Sequence, residues 1–170
     1  SSHKNILRVH DWGYINIKKI KCPFYTMPLF SGTLRHLITT GIPKDKSLPY
    51  FGQILDGVEA AHMLGVWHRD LKPENILFDS RSDTLVIADF GIAHFAEDQL
   101  QTIVVTAPHA RMANFQYAAP EQRLKPSTAN AAADIYALGL ILNEMYTGLL
   151  AHGVGFKSIA DVAPDFKYLD

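Results

Sequence analysis

Between His68 and Asp79 the chain reads HRDLKPENILFD, crowding a histidine, an arginine, two acids, a lysine and an asparagine just ahead of an apolar run. A solvated loop needs no such mixture, so the stretch is read for chemistry. Asp70 and Lys72, two residues apart, offer a proton acceptor and a cation side by side. Downstream, ADFG supplies a second acid, Asp89. The apolar runs NILF and TLVIA flank the polar tip DSRSD, a pattern that predicts a β-hairpin. Pairing those strands brings Asn75 and Asp89 near one another. An amide carbonyl and a carboxylate are hard oxygen ligands that suit Mg²⁺ while leaving room for water and phosphate. Asp70 is then free to accept or orient a proton, and Lys72 to meet developing negative charge. These are the parts that in-line phosphoryl transfer needs, since that reaction asks for positioning and electrostatic stabilisation and little covalent chemistry. Either tripeptide alone is a common turn; the specific signal is the two together, bracketing a hairpin.

The elements that must hold these groups follow from periodicity. NILRVHDW and CPFYTMPLF, rich in β-branched and aromatic residues, read as strands. After SGT the spacing turns helical, with Leu34, Leu37 and Ile38 on one face and Gly41 as a stop. Ser47 before Leu48-Pro49 predicts the start of a long amphipathic helix through Phe51, Ile54, Leu55, Val58 and Ala61, ending near Gly65. A poorly patterned segment runs from Asp89 to about Gln122. A last strong helix is expected from about Ala131 to Tyr146, with Ile135, Leu138, Leu142 and Met145 inward and Gly148 closing it.

Composition narrows the class. At 170 residues and nearly half apolar, the chain can bury one sizeable core. Sixteen basic against seventeen acidic residues leave a formal charge of −1, with no overall pull toward nucleic acid or an acidic membrane. The single cysteine, Cys22, excludes an intrachain disulfide framework and fits a reducing compartment. No apolar run approaches the ~20 residues of a membrane span, and no signal peptide opens the chain. A soluble, cytoplasmic protein, or the cytoplasmic part of a larger one, is the expectation. The histidines outside the cluster show no metal-ligand spacing.

The chain resembles the protein kinase family over almost its whole length. HRDLKPEN resembles the catalytic loop, DFG the magnesium motif, and AAPEQ the Ala-Pro-Glu element that ends the activation segment. DIYALGLILNEMYTG resembles the buried helix that follows. HKNILRVHDWG is similar to the entry to the fourth small-lobe strand, and YTMPLFSGTLRHLI to the hinge and first large-lobe helix. The resemblance implies an α+β, kinase-like fold with a mainly helical large lobe and a small hairpin. Residues 1–30 would be a small-lobe remnant and hinge, and residues 31–170 a large lobe truncated at its C-terminal end. It implies ATP and Mg²⁺ as cofactors and a protein substrate bearing serine or threonine, with the oligomeric state open.

Roles carry over by resemblance. Asp70 would accept or orient the substrate hydroxyl, and Lys72 would neutralise charge on the transferred group; a lysine there resembles serine/threonine rather than tyrosine kinases. Asn75 and Asp89 would hold the metal ions. Met27 would back the adenine pocket, the backbone of Pro28 and Phe30 would meet the adenine edge, and Leu77 would form the floor. His68 would support the loop, Asp134 would hold its backbone from behind, and Glu121 would make a structural ion pair. Arg69 resembles the arginine that pairs with a phosphorylated activation segment, with Thr106 or Thr102 as the phosphosite and Tyr117 near the peptide platform.

The sequence departs from the family in three places. The glycine-rich loop, strand lysine and helix glutamate do not occur, so the chain by itself is expected to be inactive. It also ends soon after the buried helix. Asn114 stands where serine/threonine kinases usually carry a threonine. Two other readings stand beside this one: a pseudokinase of the same fold acting as a binding or scaffolding module, and a small-molecule phosphotransferase with a similar catalytic core. The first usually loses one of Asp70, Lys72, Asn75 or Asp89, all present here. The second is not expected to carry Arg69 with Lys72, nor the Ala-Pro-Glu element.

Overall fold

The computed structural model describes residues 3–90, 116–124, 130–150 and 157–162. The organisation is α+β, as expected, with two small antiparallel sheets and a helical body. Strands β1 (Asp11–Ile17) and β2 (Ile20–Thr26) form a two-stranded ribbon in which Asp11 opposes Thr26. Its turn is made by Lys18 and Lys19, both at positive φ (48° and 69°). A two-residue turn with positive φ matches the twist of paired strands, although lysines rarely supply it.

The two strands expected in this region are displaced. Of NILRVHDW, only Asp11 and Trp12 lie in β1. Asn5 to Leu7 instead run alongside a strand of the other sheet: Ile87 donates its N–H to the Asn5 carbonyl (2.9 Å), and Leu7 donates to the Ile87 carbonyl (2.8 Å). Asn5 is fully buried there, its side-chain amide donating to the Leu85 carbonyl at 2.8 Å. Strand β2 stops at Thr26, so Met27 to Phe30 leave the sheet.

The second sheet has the order β3 (Gly32–Thr33), β4 (Ile76–Asp79), β5 (Thr84–Ile87). Its register sets Ile76 opposite Ile87 and Leu77 opposite Val86, giving the predicted hairpin. Helix α1 (Leu34–Thr40) starts directly from β3, with the Thr33 hydroxyl accepting from the His36 N–H, and Gly41 at φ 94° ends it. Helix α2 (Lys44–His62) begins three residues before the expected Ser47. Pro43 precedes it without a side-chain cap, and Pro49 lies inside. Ser47 is buried and bonds back to the Pro43 carbonyl at 3.5 Å, so it acts within the first turn and not as a cap.

Helix α2 packs against β5 and the Asn5 segment through Gly57. A β-carbon there would stand 2.7 Å from the Asn5 carbonyl oxygen and 2.9 Å from Ile87 Cδ1. Gly57→Ala must therefore push apart two backbone segments. We expect a net loss of about 1–3 kcal/mol in denaturant unfolding, despite alanine's better helix propensity. Gly52→Ala, where nothing lies near the added carbon, is the matched control.

A short helix α3 (Pro120–Leu124) precedes α4 (Ala131–Thr147), and α5 (Ile159–Val162) follows. The Asn130 side chain caps α4 by accepting from the Ala132 N–H, and Gly148 closes it in the left-handed conformation, φ 67°. The buried face of α4 differs from the expected one. Ile135 is exposed (57 %) and Leu142 half-buried, whereas Asp134, Ala137, Leu138, Ile141, Glu144 and Met145 line the interior. The helix is rotated so that two acids, not two aliphatic residues, face inward.

The core joins Leu34, Ile54, Ile76, Leu85, Ile87 and Ile141, drawn from α1, α2, α4 and the β4–β5 hairpin. It lies directly behind the loop from His68 to Pro73. Among the described residues no helix is long and apolar enough to cross a membrane.

Candidate active site

The loop carrying the polar cluster is fastened from below by one buried carboxylate. Asp134 Oδ2 accepts from the His68 N–H, and Oδ1 from the Arg69 N–H, both at 2.8 Å; His62 Nε2 lies 2.8 Å from Oδ2. Asp134 is 1 % exposed, so these bonds replace its hydration. They hold Arg69 at φ 68°, a left-handed conformation disfavoured for a residue with a side chain. Asp70 follows immediately and so projects from a fixed backbone.

Three side chains, Asp70, Lys72 and Asn75, are bonded together above this support. Lys72 Nζ donates to Asp70 Oδ2 at 2.7 Å. The Asn75 amide donates to the Asp70 carbonyl at 2.8 Å and to Asp70 Oδ2 at 3.3 Å. That commits the Asn75 nitrogen and leaves its oxygen as the atom to offer a cation. The Ala88 N–H bonds the Asn75 carbonyl at 2.8 Å, so Asp89 sits one residue beyond the step at which Asn75 meets the opposite strand. Asp89 too has positive φ, 62°, which turns it out of the strand. Its Oδ1 accepts the Tyr25 hydroxyl at 2.6 Å, and this bond to Asp89, with partial burial, pushes the Tyr25 phenol up to about 12.

Among the described residues no three His, Cys, Asp or Glu side chains cluster to hold a metal by themselves. An Asn oxygen and an Asp carboxylate are the sparse set that Mg²⁺ accepts when phosphate oxygens and waters complete its octahedron. The donors present could hold it in that way.

His68 is buried beneath the cluster. Its Nδ1 accepts from the Asp70 N–H at 3.3 Å and its Nε2 lies 2.8 Å from the Ala88 carbonyl, which fixes the neutral tautomer with the proton on Nε2. Its ring centroid lies 4.8 Å from that of Phe90. Burial pushes its pKa below the usual histidine value. The unfolded chain therefore binds more protons between the folded pKa and about 6.5, and stability is lost as pH falls through that window. The unfolding free energy should drop more from about pH 7 to about pH 5 in the parent than in His68→Gln. Equal slopes in denaturant titrations would remove this role.

A second polar centre, which the sequence did not mark, joins the loop to Tyr117 and α4. The Arg35 guanidinium on α1 donates to Glu74 at 2.7 Å, and to Glu144 and the Tyr117 hydroxyl, each at 2.5 Å. Tyr117 also donates to Glu144. Burial pulls the Arg35 pKa down, but bonds to Glu144, Glu74 and Tyr117 outweigh it and raise the pKa overall. Burial first and Glu144 second push the Tyr117 phenol above its ordinary range. Gln122 adds a further tie, its amide donating to the Arg69 carbonyl at 2.9 Å and its oxygen accepting from the Ala119 N–H at 3.0 Å. The legible signal was on α4: Asp134 and Glu144 share one helical face with Ala137, Leu138, Ile141 and Met145, and an acid on an apolar stripe needs a partner.

The remaining expected positions are placed as follows. Leu77 is half-buried in β4 opposite Thr33 and Val86. Met27 is exposed, whereas Pro28 and Phe30 are half-buried. Glu121 lies in the first turn of α3. Arg69 has an exposed side chain and a backbone bonded on both sides. Thr102, Thr106 and Asn114 lie outside the described residues.

Comparison with known proteins gives the family of the chain. Residues 1–155 match the protein kinase domain family. The chain is 35 % identical over 150 residues to the probable serine/threonine-protein kinase PknB of Lactococcus lactis, covering 86 % of this chain and 22 % of that protein. It is 34 % identical over 149 residues to CBL-interacting protein kinase 5 of Oryza sativa, covering 87 % and 31 %. With serine/threonine-protein kinase PknD of Mycobacterium tuberculosis the identity is 39 % over 147 residues, covering 85 % and 21 %. The chain thus spans less than a third of the length of these curated relatives. With the family match running over residues 1–155, this chain belongs to the protein kinase domain family.

Proposed function

We propose that the chain carries the catalytic centre of an ATP- and Mg²⁺-dependent protein kinase acting on serine or threonine hydroxyls. The observation that supports this best is the hydrogen-bonded group of Asp70, Lys72 and Asn75, one ladder step from Asp89. Asp70 accepts or orients the proton of the acceptor hydroxyl. Lys72, bonded to the same carboxylate, meets charge on the phosphoryl group as it moves. Asn75 and Asp89 hold Mg²⁺, which when bound neutralises charge on the ATP phosphates. Met27, Pro28, Phe30 and Leu77 form the adenine side, residues 1–30 being small lobe and hinge and residues 31–170 large lobe. Arg69 receives a phosphate on Thr106 or Thr102. The similarity to serine/threonine-protein kinases favours serine and threonine as acceptors.

The test is to supply the intact protein with γ-labelled ATP, Mg²⁺ and either a protein substrate or an amino sugar. Label on serine or threonine of the protein is the expected result. Label on the sugar would make the protein a small-molecule phosphotransferase, and nucleotide binding with no transfer would make it a pseudokinase.

A further inference from the structure

We propose that Tyr25 is a positioning residue that fixes the plane of the Asp89 carboxylate for metal binding. The inference rests on the reading of Asp89 as a metal ligand and goes one step beyond it. Tyr25 stands 64 residues away in sequence, on β2, yet its hydroxyl reaches Asp89 Oδ1 at 2.6 Å. Tyr25 is half-buried in a ribbon whose other residues, Cys22 and Gly13 apart, are exposed.

A carboxylate at this place needs such a donor. The backbone at Asp89, fixed at φ 62° and tied through Ala88 to Asn75 and His68, sets where Cβ lies. It does not set the carboxylate plane, because rotation about Cβ–Cγ is soft and roughly two-fold. Asp70 meets the same problem with two donors, Lys72 and Asn75. For Asp89 the donor is Tyr25. A phenol holds Oδ1 with a charge-assisted bond on a stiff ring and leaves Oδ2 to the cation. Ligating carboxylates are commonly held by an outer partner of this kind, and losing that partner weakens metal binding about 10–100-fold. Tyr25 also lies two residues before Met27, so the strand that bears the donor runs into the proposed adenine edge.

The decisive measurement is Mn²⁺ binding, followed by electron paramagnetic resonance, to the intact protein with a non-hydrolysable ATP analogue. Parent, Tyr25→Phe and Asp89→Asn are compared. Tyr25→Phe should weaken Mn²⁺ binding about tenfold or more, and should raise the Mg²⁺ needed for half-maximal transfer by the same factor. Melting temperature and the KM for the acceptor peptide should stay at parental values. Unchanged or tighter Mn²⁺ binding in Tyr25→Phe, with Asp89→Asn weakened, overturns the role of Tyr25 alone; tighter binding would mean that the phenol competes with the metal. Parental binding in both variants overturns the metal reading of Asp89, and the inference with it. A fall in melting temperature with a parallel rise in peptide KM would make Tyr25 a strut of the ribbon and would also overturn it.

Discussion

Asp70→Asn should leave the protein folded and lower kcat by about 10²–10⁴-fold, the range for a lost proton acceptor. The amide keeps the shape of the side chain, and the backbone of the loop is held by Asp134 and Gln122, not by the Asp70 carboxylate. What changes is the chemistry at Oδ2, where Lys72 Nζ and the Asn75 amide both donate. An amide offers one weakly basic oxygen and turns a donor toward two donors. On the proposed role, the proton of the attacking hydroxyl then has no basic site, and Lys72 loses its counter-charge. The KM for ATP should move little, because the role proposed for Asp70 is in transfer and not in nucleotide binding. A steady-state titration of both substrates checks the split between kcat and KM. A loss confined to the KM for ATP would place Asp70 in binding, not in the transfer step.

Asp134→Ala should be the most damaging single change to the support. Its carboxylate receives two backbone N–H groups and faces the His62 ring, and all three would be left without that acceptor in a buried setting. Each unsatisfied buried donor costs about 1–3 kcal/mol, so a total loss of about 3 kcal/mol or more is expected. The denaturation midpoint should fall with little change in m. Activity should fall further than stability explains, because Arg69 can leave its positive φ once its N–H is released and Asp70 moves with it. A displacement of about 1 Å at a reacting group can cost about 10²-fold. Leu138→Ala is the comparison: it empties core volume on the same helix without touching the loop. It should lower stability while leaving kcat near the parental value under conditions where both proteins are folded.

The chemistry-bearing loop was legible because its residues are contiguous and each side chain has one strong use. The β4–β5 hairpin was legible for the same reason: two apolar runs enclose a polar tip. The strands of the ribbon were not. Their turn uses Lys18 and Lys19 at positive φ, where the usual signal is Asn-Gly, so nothing in the residue types marks the reversal. The start of α2 was obscured because Ser47 carries capping chemistry but spends it inside the first turn, on the Pro43 carbonyl. The inward face of α4 differs from the hydrophobic pattern at Ile135 because Asp134 and Glu144 gain more from His68, Arg69 and Arg35 than Ile135 would from burial. Contacts such as Tyr25 with Asp89 lie beyond any local pattern. They depend on how the ribbon lies over the hairpin, which no window of sequence contains.

The most direct measurement is a rapid-quench single turnover with γ-labelled ATP, Mg²⁺ and a serine- and threonine-containing protein substrate, run on the intact protein, Asp70→Asn and Asp89→Asn. The parent is predicted to move label onto serine or threonine hydroxyls. Asp70→Asn should slow that chemical step at unchanged nucleotide occupancy, and Asp89→Asn should lose it together with Mg²⁺ dependence. Transfer at the parental rate in either variant would contradict the site built from Asp70, Lys72, Asn75 and Asp89.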